Sequence, residues 1–497
     1  MSSSRQQAYL RQRYRAFVGY IGALIYILGF VQLVPLLLIP FFPDEWRLSG
    51  AFLITGLPLI VSGMILRRRY MPEQTLSLTM PEGSVVVLIV WLAALFSSSV
   101  PFMLIGGLNL SQACFEAISG WTTTGLTVVD VSQAPNLLLF YRSLTQFSGG
   151  AGFVIIALSA VAGTFGMNIA AAEGRNDQLA PHIRKSASIV LQMYAGYAIF
   201  GIVALTLAGM SPFDAVNHAF TAISTAGFST RPESIAYWDS FSIEVVTMIL
   251  MILGATNFFI AYTFLRGKFV PVWKSAELRL LIFLLVSVTA LLTVFVTHAT
   301  EPDAGRSIRA ALFNAVSALT TTGFSTVDYR PWADFGWMIL ILLMLIGGGA
   351  GSTAGGIKLM RVYIIYKAII WEIRRSFMPP HMVNEPAIWQ GERRELMNDR
   401  WVRQTALFVG IYVGFFLLGS GIMTLHGYSM KESFFEFASA LGGVGVSVGV
   451  TQPSTPPLVL WTMNVGMFLG RLEFFTIIVG VLKIISDARE MALPPST

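Results

Sequence analysis

Long apolar runs separated by short polar stretches dominate the chain, and "LIFLLVSVTALLTVFV" at 281–296 is typical of them. A membrane-crossing helix needs about 20 mostly apolar residues to span roughly 30 Å of hydrocarbon, because lipid offers the backbone no partner. Barrel strands would instead alternate over segments of about ten residues. The continuous runs therefore predict helices, with spans at 16–41, 48–68, 84–107, 136–163, 187–210, 240–266, 276–298, 336–373, 402–426 and 456–485. The basic start "MSSSRQQAYLRQRYR" leads into an apolar run from Ala16 to Phe42 without a small-residue cleavage site. It reads as a retained helix, not a signal peptide.

Between outward-joined spans, a short apolar segment recurs four times. Aligned on one glycine, the copies are "FEAISGWTTTG" ending at Gly125, "NHAFTAISTAG" at Gly227, "FNAVSALTTTG" at Gly323 and "FEFASALGGVG" at Gly445. They are too short to cross. Each unit is then a span, a re-entrant half-helix, a loop closed by glycine and a second span. The expected fold is all-α and membrane-embedded: an N-terminal two-helix region at 1–75, then repeats at 76–175, 176–272, 273–385 and 386–497 around one central pore.

Non-helical backbone at membrane depth is tolerated where protein buries it or where it lines a watery cavity. A half-helix aiming its C-terminal end at such a cavity presents the negative end of its dipole, which favours a cation. Glycine beyond it adopts angles that a side chain forbids, so that carbonyls can turn inward and replace an ion's hydration shell. Small residues also permit close helix packing. Four glycines in one register favour the carbonyl reading over packing alone.

Composition narrows the choice. The chain is 55% hydrophobic and 12% charged, with a net charge of +6. Arg67, Arg68, Arg69, Arg175, Arg184, Lys185, Lys268, Lys274, Arg374, Arg375, Arg393, Arg394 and Lys483 all fall on the side of both termini, which the positive-inside rule assigns to the cytoplasm. Membrane topology accounts for the positive charge, and nucleic acid is not an implied partner. The opposite side collects Asp44, Glu45, Asp130, Glu233, Asp239, Glu301, Asp303, Asp328 and Asp334 against fewer bases. That acidity is either ordinary loop solvation or a mouth that concentrates cations. The lone Cys114 excludes an internal disulfide. Scattered histidines, with no HExxH, no nucleophile elbow and no paired intramembrane carboxylates, argue against an enzyme. Few acids sit within the spans; Glu244 and Glu473 remain candidates for coupling to sodium or protons.

"IGGGAGSTAGGIK", 346–358, interrupts the eighth span with six glycines. It lacks the GKS or GKT of a phosphate loop. A broken membrane helix lines a cavity or a moving part, although a kinked packing helix is the simpler alternative. Arg471 falls near the middle of the last span, where a charge costs at least about 2.5–3.5 kcal/mol. It is either a barrier within a pore or half of an ion pair, with Glu473 the nearest candidate although two positions apart do not share a helix face.

These residues resemble the Trk/Ktr/HKT superfamily of potassium transporters, specifically the Trk-H type membrane subunit, and the two extra N-terminal spans favour that type over Ktr. The resemblance implies potassium coordination by the carbonyls of Thr123 and Thr124, Thr225 and Ala226, Thr321 and Thr322, and Gly443 and Val444, beside Gly125, Gly227, Gly323 and Gly445. Glycine at all four positions is similar to potassium-permeable members. Ala226 and the loop "LGGVGVSVG" depart from the family pattern, at positions that bear on selectivity over sodium. An obstructing intramembrane loop is implied at Gly347, Gly348, Gly349, Gly351, Ser352, Thr353, Gly355 and Gly356, with Arg471 as a positive barrier. Arg142 and Gln146 match another family stretch, with an implied role in holding the half-helices.

The resemblance further implies potassium as substrate, no cofactor in this chain, and a homodimer in the lipid of the bacterial inner membrane with both termini cytoplasmic. A cytosolic Trk-A type nucleotide-binding subunit is the implied regulator. Segment 374–400 reads as a solvated linker or a docking surface. Channel-like potassium flow, potassium coupled to sodium or protons, and weakly selective potassium and sodium transport stand as the functional alternatives.

Overall fold

A computed structural model describes residues 3–72, 78–152, 183–301, 303–379, 386–390 and 393–492. Among these, six helical segments are long and apolar enough to cross a membrane: Gln7–Leu38, Pro43–Tyr70, Met80–Gly106, Ala187–Leu207, Ala276–Thr300 and Asp399–Leu425. Local chemistry sets their ends. Met80–Gly106 opens on a Thr79/Glu82 capping box with Pro81 in its first turn, and stops where Gly107 turns left-handed at φ 63°.

Three second spans are not continuous. The interruption at 347–358 is the one that the glycines predict, between Asp334–Ile346 and Leu359–Arg375. Two others are corrections to the expected spans. Segment 240–266 bends by 111° between Phe241–Ala255 and Phe258–Leu265, and 456–485 bends by 99° between Pro457–Leu472 and Phe474–Ala492. At the first break, Asn257 leaves the helix and caps the next one by accepting from the Phe259 N–H. At the second, Glu473 takes φ 56°. Neither break is marked by Pro or a glycine run, so hydropathy passes through both. Asn136–Gly150 forms the start of the span expected at 136–163, whose remainder lies outside the described residues.

The first two long helices pack closely, with Gly22 facing the Gly63 carbonyl and Gly29 facing that of Gly56. Both ends of the chain meet on one face: Gln7 Nε2 donates to the Glu490 carbonyl at 3.4 Å, and Tyr14 Oη to Asp487 Oδ2 at 2.9 Å. Nearby, Arg13 and Glu82 form a buried ion pair. Within 374–400, Ala387–Gln390 and Arg393–Leu396 form an antiparallel hairpin, and Ile388 is buried with Ala276, Ile364 and Met397. That part of the segment is a docked hairpin, not a solvated linker.

Candidate functional site

Four half-helices, Leu110–Trp121, Pro212–Ile223, Ala304–Leu319 and Met430–Gly442, carry the repeated loops. At 1.5 Å per residue they run about 18–24 Å, short of the bilayer. Asn109, Ser211, Asp303 and Ser429 cap their starts, each accepting from the N–H three residues on. Their ends share one geometry. The N–H groups of Thr124, Ala226, Thr322 and Val444 donate to the carbonyls of Ser119, Thr221, Ser317 and Ser439 at 2.9, 2.9, 2.9 and 2.8 Å. This serine-or-threonine position, common to the four copies, is a signal that the glycine alignment contains and that sequence reasoning passed over.

The next turn is strained in the same place each time. Thr123, Thr225 and Thr321 have φ of 55°, 50° and 54°, and Gly443, in register with them, has 64°. A β-branched residue there costs on the order of 1–3 kcal/mol, so surrounding contacts must hold it. Each loop then ends on a glycine, again at positive φ: 97°, 76°, 86° and 100° at Gly125, Gly227, Gly323 and Gly445.

These glycines close a ring. A Cβ on Gly125 would lie 2.0 Å from the Ala226 carbonyl oxygen, on Gly227 2.1 Å from that of Thr322, on Gly323 1.9 Å from that of Val444, and on Gly445 2.2 Å from that of Thr124. The four loops therefore follow one another around a common axis in chain order and return to the first. Backbone angle and close approach both demand glycine. Thr123, Thr124, Thr225, Ala226, Thr321, Thr322 and Val444 are all buried. The carbonyls of Thr124, Ala226, Thr322 and Val444 occupy equivalent places in the ring.

Arg142 and Gln146 stitch the first two loops to each other, and Arg142 also ties them to the first half-helix through Glu116. Gln146 Nε2 donates to the Ala226 carbonyl at 2.9 Å, while its Oε1 accepts from the Phe228 N–H at 3.1 Å. Arg142 donates to the Ser229 carbonyl at 3.2 Å and to Thr127 Oγ1 at 2.8 Å, pairs with Glu116 at 3.4 Å, and stacks 4.0 Å from the Phe228 ring.

Above the ring lies a vestibule of ≈ 670 Å³ lined by all four loops. Its wall contains Asp130, Glu233 and Asp328, but also Arg142, Arg231 and Arg330. Arg231 pairs with Asp214 at 3.2 Å and Arg330 with Asp328 at 2.7 Å. The guanidinium beside it holds the Asp328 carboxyl below the usual range. Charge at this mouth is balanced, not the acidic concentrator that composition allowed.

Below the ring, the 347–358 loop is bonded upward into the half-helix ends. Thr353 Oγ1 donates to the carbonyls of Ile223 (3.0 Å) and Gly254 (2.8 Å), and its N–H also reaches Gly254 at 3.1 Å. The strained threonines serve the same loop: Thr225 Oγ1 lies 3.1 Å from Thr353 Oγ1, and Thr321 Oγ1 accepts from the Gly355 N–H at 2.7 Å. Gly349 N–H reaches the Ala255 carbonyl at 2.9 Å, and Ala350 N–H reaches Glu277 Oε1 at 2.8 Å. Arg471 is bonded to the same loop. It donates to the Thr353 carbonyl at 2.6 Å and the Gly149 carbonyl at 2.7 Å, joining the fourth repeat to the loop of the third and the helix of the first. Glu473, the partner considered for Arg471 in the sequence, pairs with Arg361 at 2.8 Å. The cavity lined by Gly351, Ser352, Gly355, Gly356, Lys358 and Arg471 measures ≈ 30 Å³, space for about one or two waters.

A ring of backbone oxygens thus lies between a wide vestibule and the hydrogen-bonded 347–358 loop. Residues 52–490 match the family described as TrkH, cation transport protein. The chain belongs to this family. TrkH proteins are transporters, not enzymes, and the chain is a multi-pass membrane protein of that kind. It is 30% identical over 463 residues to an uncharacterised cation transporter of Methanocaldococcus jannaschii, covering 92% of this chain and 93% of the relative. It is 29% identical over 489 residues to the Trk system potassium uptake protein TrkH of Vibrio parahaemolyticus, covering 94% and 98%. The crystal structure of the potassium transporter TrkH from Vibrio parahaemolyticus superposes with a TM-score of 0.82 at 27% identity, again covering 94% and 98%.

Proposed function

We propose that this TrkH-family protein takes up potassium across the bacterial inner membrane, with both termini in the cytoplasm. Ions pass from the vestibule through the carbonyls of Thr123–Gly125, Thr225–Gly227, Thr321–Gly323 and Gly443–Gly445. The observation that carries this is the ring in which each loop glycine faces the next loop's carbonyl. Potassium sheds water for such oxygens because they replace its hydration shell. Passage is stopped below by the loop at Gly347–Gly356 and by Arg471, whose positive charge repels an arriving cation. Repeats 76–175, 176–272, 273–385 and 386–497 each contribute one quarter of the path, and 1–75 flanks it.

A homodimer, with a separate cytosolic nucleotide-binding subunit controlling the plug, completes the proposal. The relatives' Trk system names support regulatory partners. Coupling to sodium or protons is less supported, since Glu244 is paired with Arg309 at 2.6 Å and Glu473 with Arg361. Weak selectivity has one specific observation in its favour: opposite loops carry Thr124 and Thr322, but the other two carry Ala226 and Val444. The deciding test is growth of a bacterium stripped of its own potassium uptake systems. Expression of this chain with its regulatory subunit should restore growth at low potassium, whereas failure of a well-expressed protein would contradict potassium uptake.

A further inference from the structure

Each half-helix carries a polar residue nine positions before its loop glycine: Glu116, His218, Asn314 and Glu436. All four are 0% exposed. In every repeat this side chain reaches the segment that leaves the ring. His218 Nε2 lies 2.9 Å from Ser229 Oγ, and Asn314 Nδ2 donates to Thr326 Oγ1 at 3.0 Å.

The two carboxylates gather more. Glu116 Oε1 accepts from Thr127 Oγ1 and the Val128 N–H, both at 2.5 Å, and from the Val129 N–H at 3.1 Å. Glu436 Oε1 accepts from Ser447 Oγ at 2.7 Å, the Thr451 N–H at 2.9 Å and the Thr451 hydroxyl; its Oε2 accepts from the Val448 N–H at 3.1 Å. Thus four donors converge on one buried carboxylate behind the fourth loop. That loop most needs such a hold, because Gly442, Gly443, Gly445 and Gly449 leave it few side chains to fix its path. In a low-dielectric interior these bonds are strong, and a negative charge behind a carbonyl ring also raises the attraction for a cation.

We propose that Glu436 is a positioning residue for ion selection: its carboxylate fixes segment 447–451, and through it the Val444 and Gly445 carbonyls, at the spacing that distinguishes one alkali cation from another. Glu116, beside Arg142, does the same for the first loop, its neighbour in the ring. This rests on the four loops being the ion path.

The test is alkali-cation flux per folded protein in liposomes, potassium against sodium, with thermal melting recorded alongside. Glu436→Gln turns an amide donor towards existing donors and should lower the potassium-to-sodium ratio about tenfold, the scale of one lost hydrogen bond to a charged group. Glu436→Asp, which keeps the charge, should recover part of that ratio. Ser447→Ala removes a single donor and should lower the ratio less, and it decides the matter if Glu436→Gln does not fold. Gly445→Ser serves as the control for the path itself. Ratios unchanged in Glu436→Gln and Ser447→Ala, with Gly445→Ser altering its own, would overturn the inference even if melting temperatures fell. An unchanged ratio in Gly445→Ser as well would overturn the path.

Discussion

Threonine at a left-handed φ is an expensive residue choice, yet three of the four loops make it at the same position. The cost has a structural return, because the hydroxyls of Thr225 and Thr321 hold the plug below the ring. Glycine at the loop ends is a stricter requirement. Gly323→Ala would place a methyl group 1.9 Å from the Val444 carbonyl on a backbone at φ 86°, so the ring must deform. Potassium flux in liposomes should fall at least about tenfold, with selectivity reduced, since a misplacement of about 1 Å costs on the order of 100-fold where geometry carries function. Gln146→Leu keeps the bulk but loses both bonds to the second loop, and should lower selectivity without abolishing flux. Equal potassium and sodium permeation ratios in that variant and the parent would refute the stitching role.

At the scale of elements, the half-helices and the glycine-broken span are legible because small residues, glycine and period leave a direct mark on the sequence. The bends at Asn257 and Glu473 are not, because single polar residues end those helices within otherwise apolar runs. Glu116 and Glu436 are hidden for a related reason: they are buried in half-helices, not in full spans. The plug is one element held by several weak bonds. Thr353→Val keeps its shape while removing the hydroxyl donor to Ile223 and Gly254. Loss of about 1–2 kcal/mol should raise the open fraction roughly 5- to 30-fold, seen as basal potassium leak without the regulatory subunit. Arg471→Ala removes two carbonyl contacts and a positive charge together, so its leak should exceed that of Thr353→Val. Unchanged flux in Arg471→Ala would sink its assignment to the gate.

For the whole molecule, four unequal repeats build one nearly symmetric ring and one asymmetric plug, supplied by the third repeat and locked by the fourth. The ring order was not readable from spacing, because it depends on which loop's carbonyl meets which glycine. Inversely, the balanced vestibule was hidden by counting charges on a face without their partners. On the proposed function, potassium runs down its own gradient. The most direct measurement is the reversal potential of current through the reconstituted protein with its regulatory subunit. It should follow the potassium equilibrium potential and stay fixed when sodium or proton gradients are imposed; a reversal that tracks either of those gradients would contradict an uncoupled potassium path.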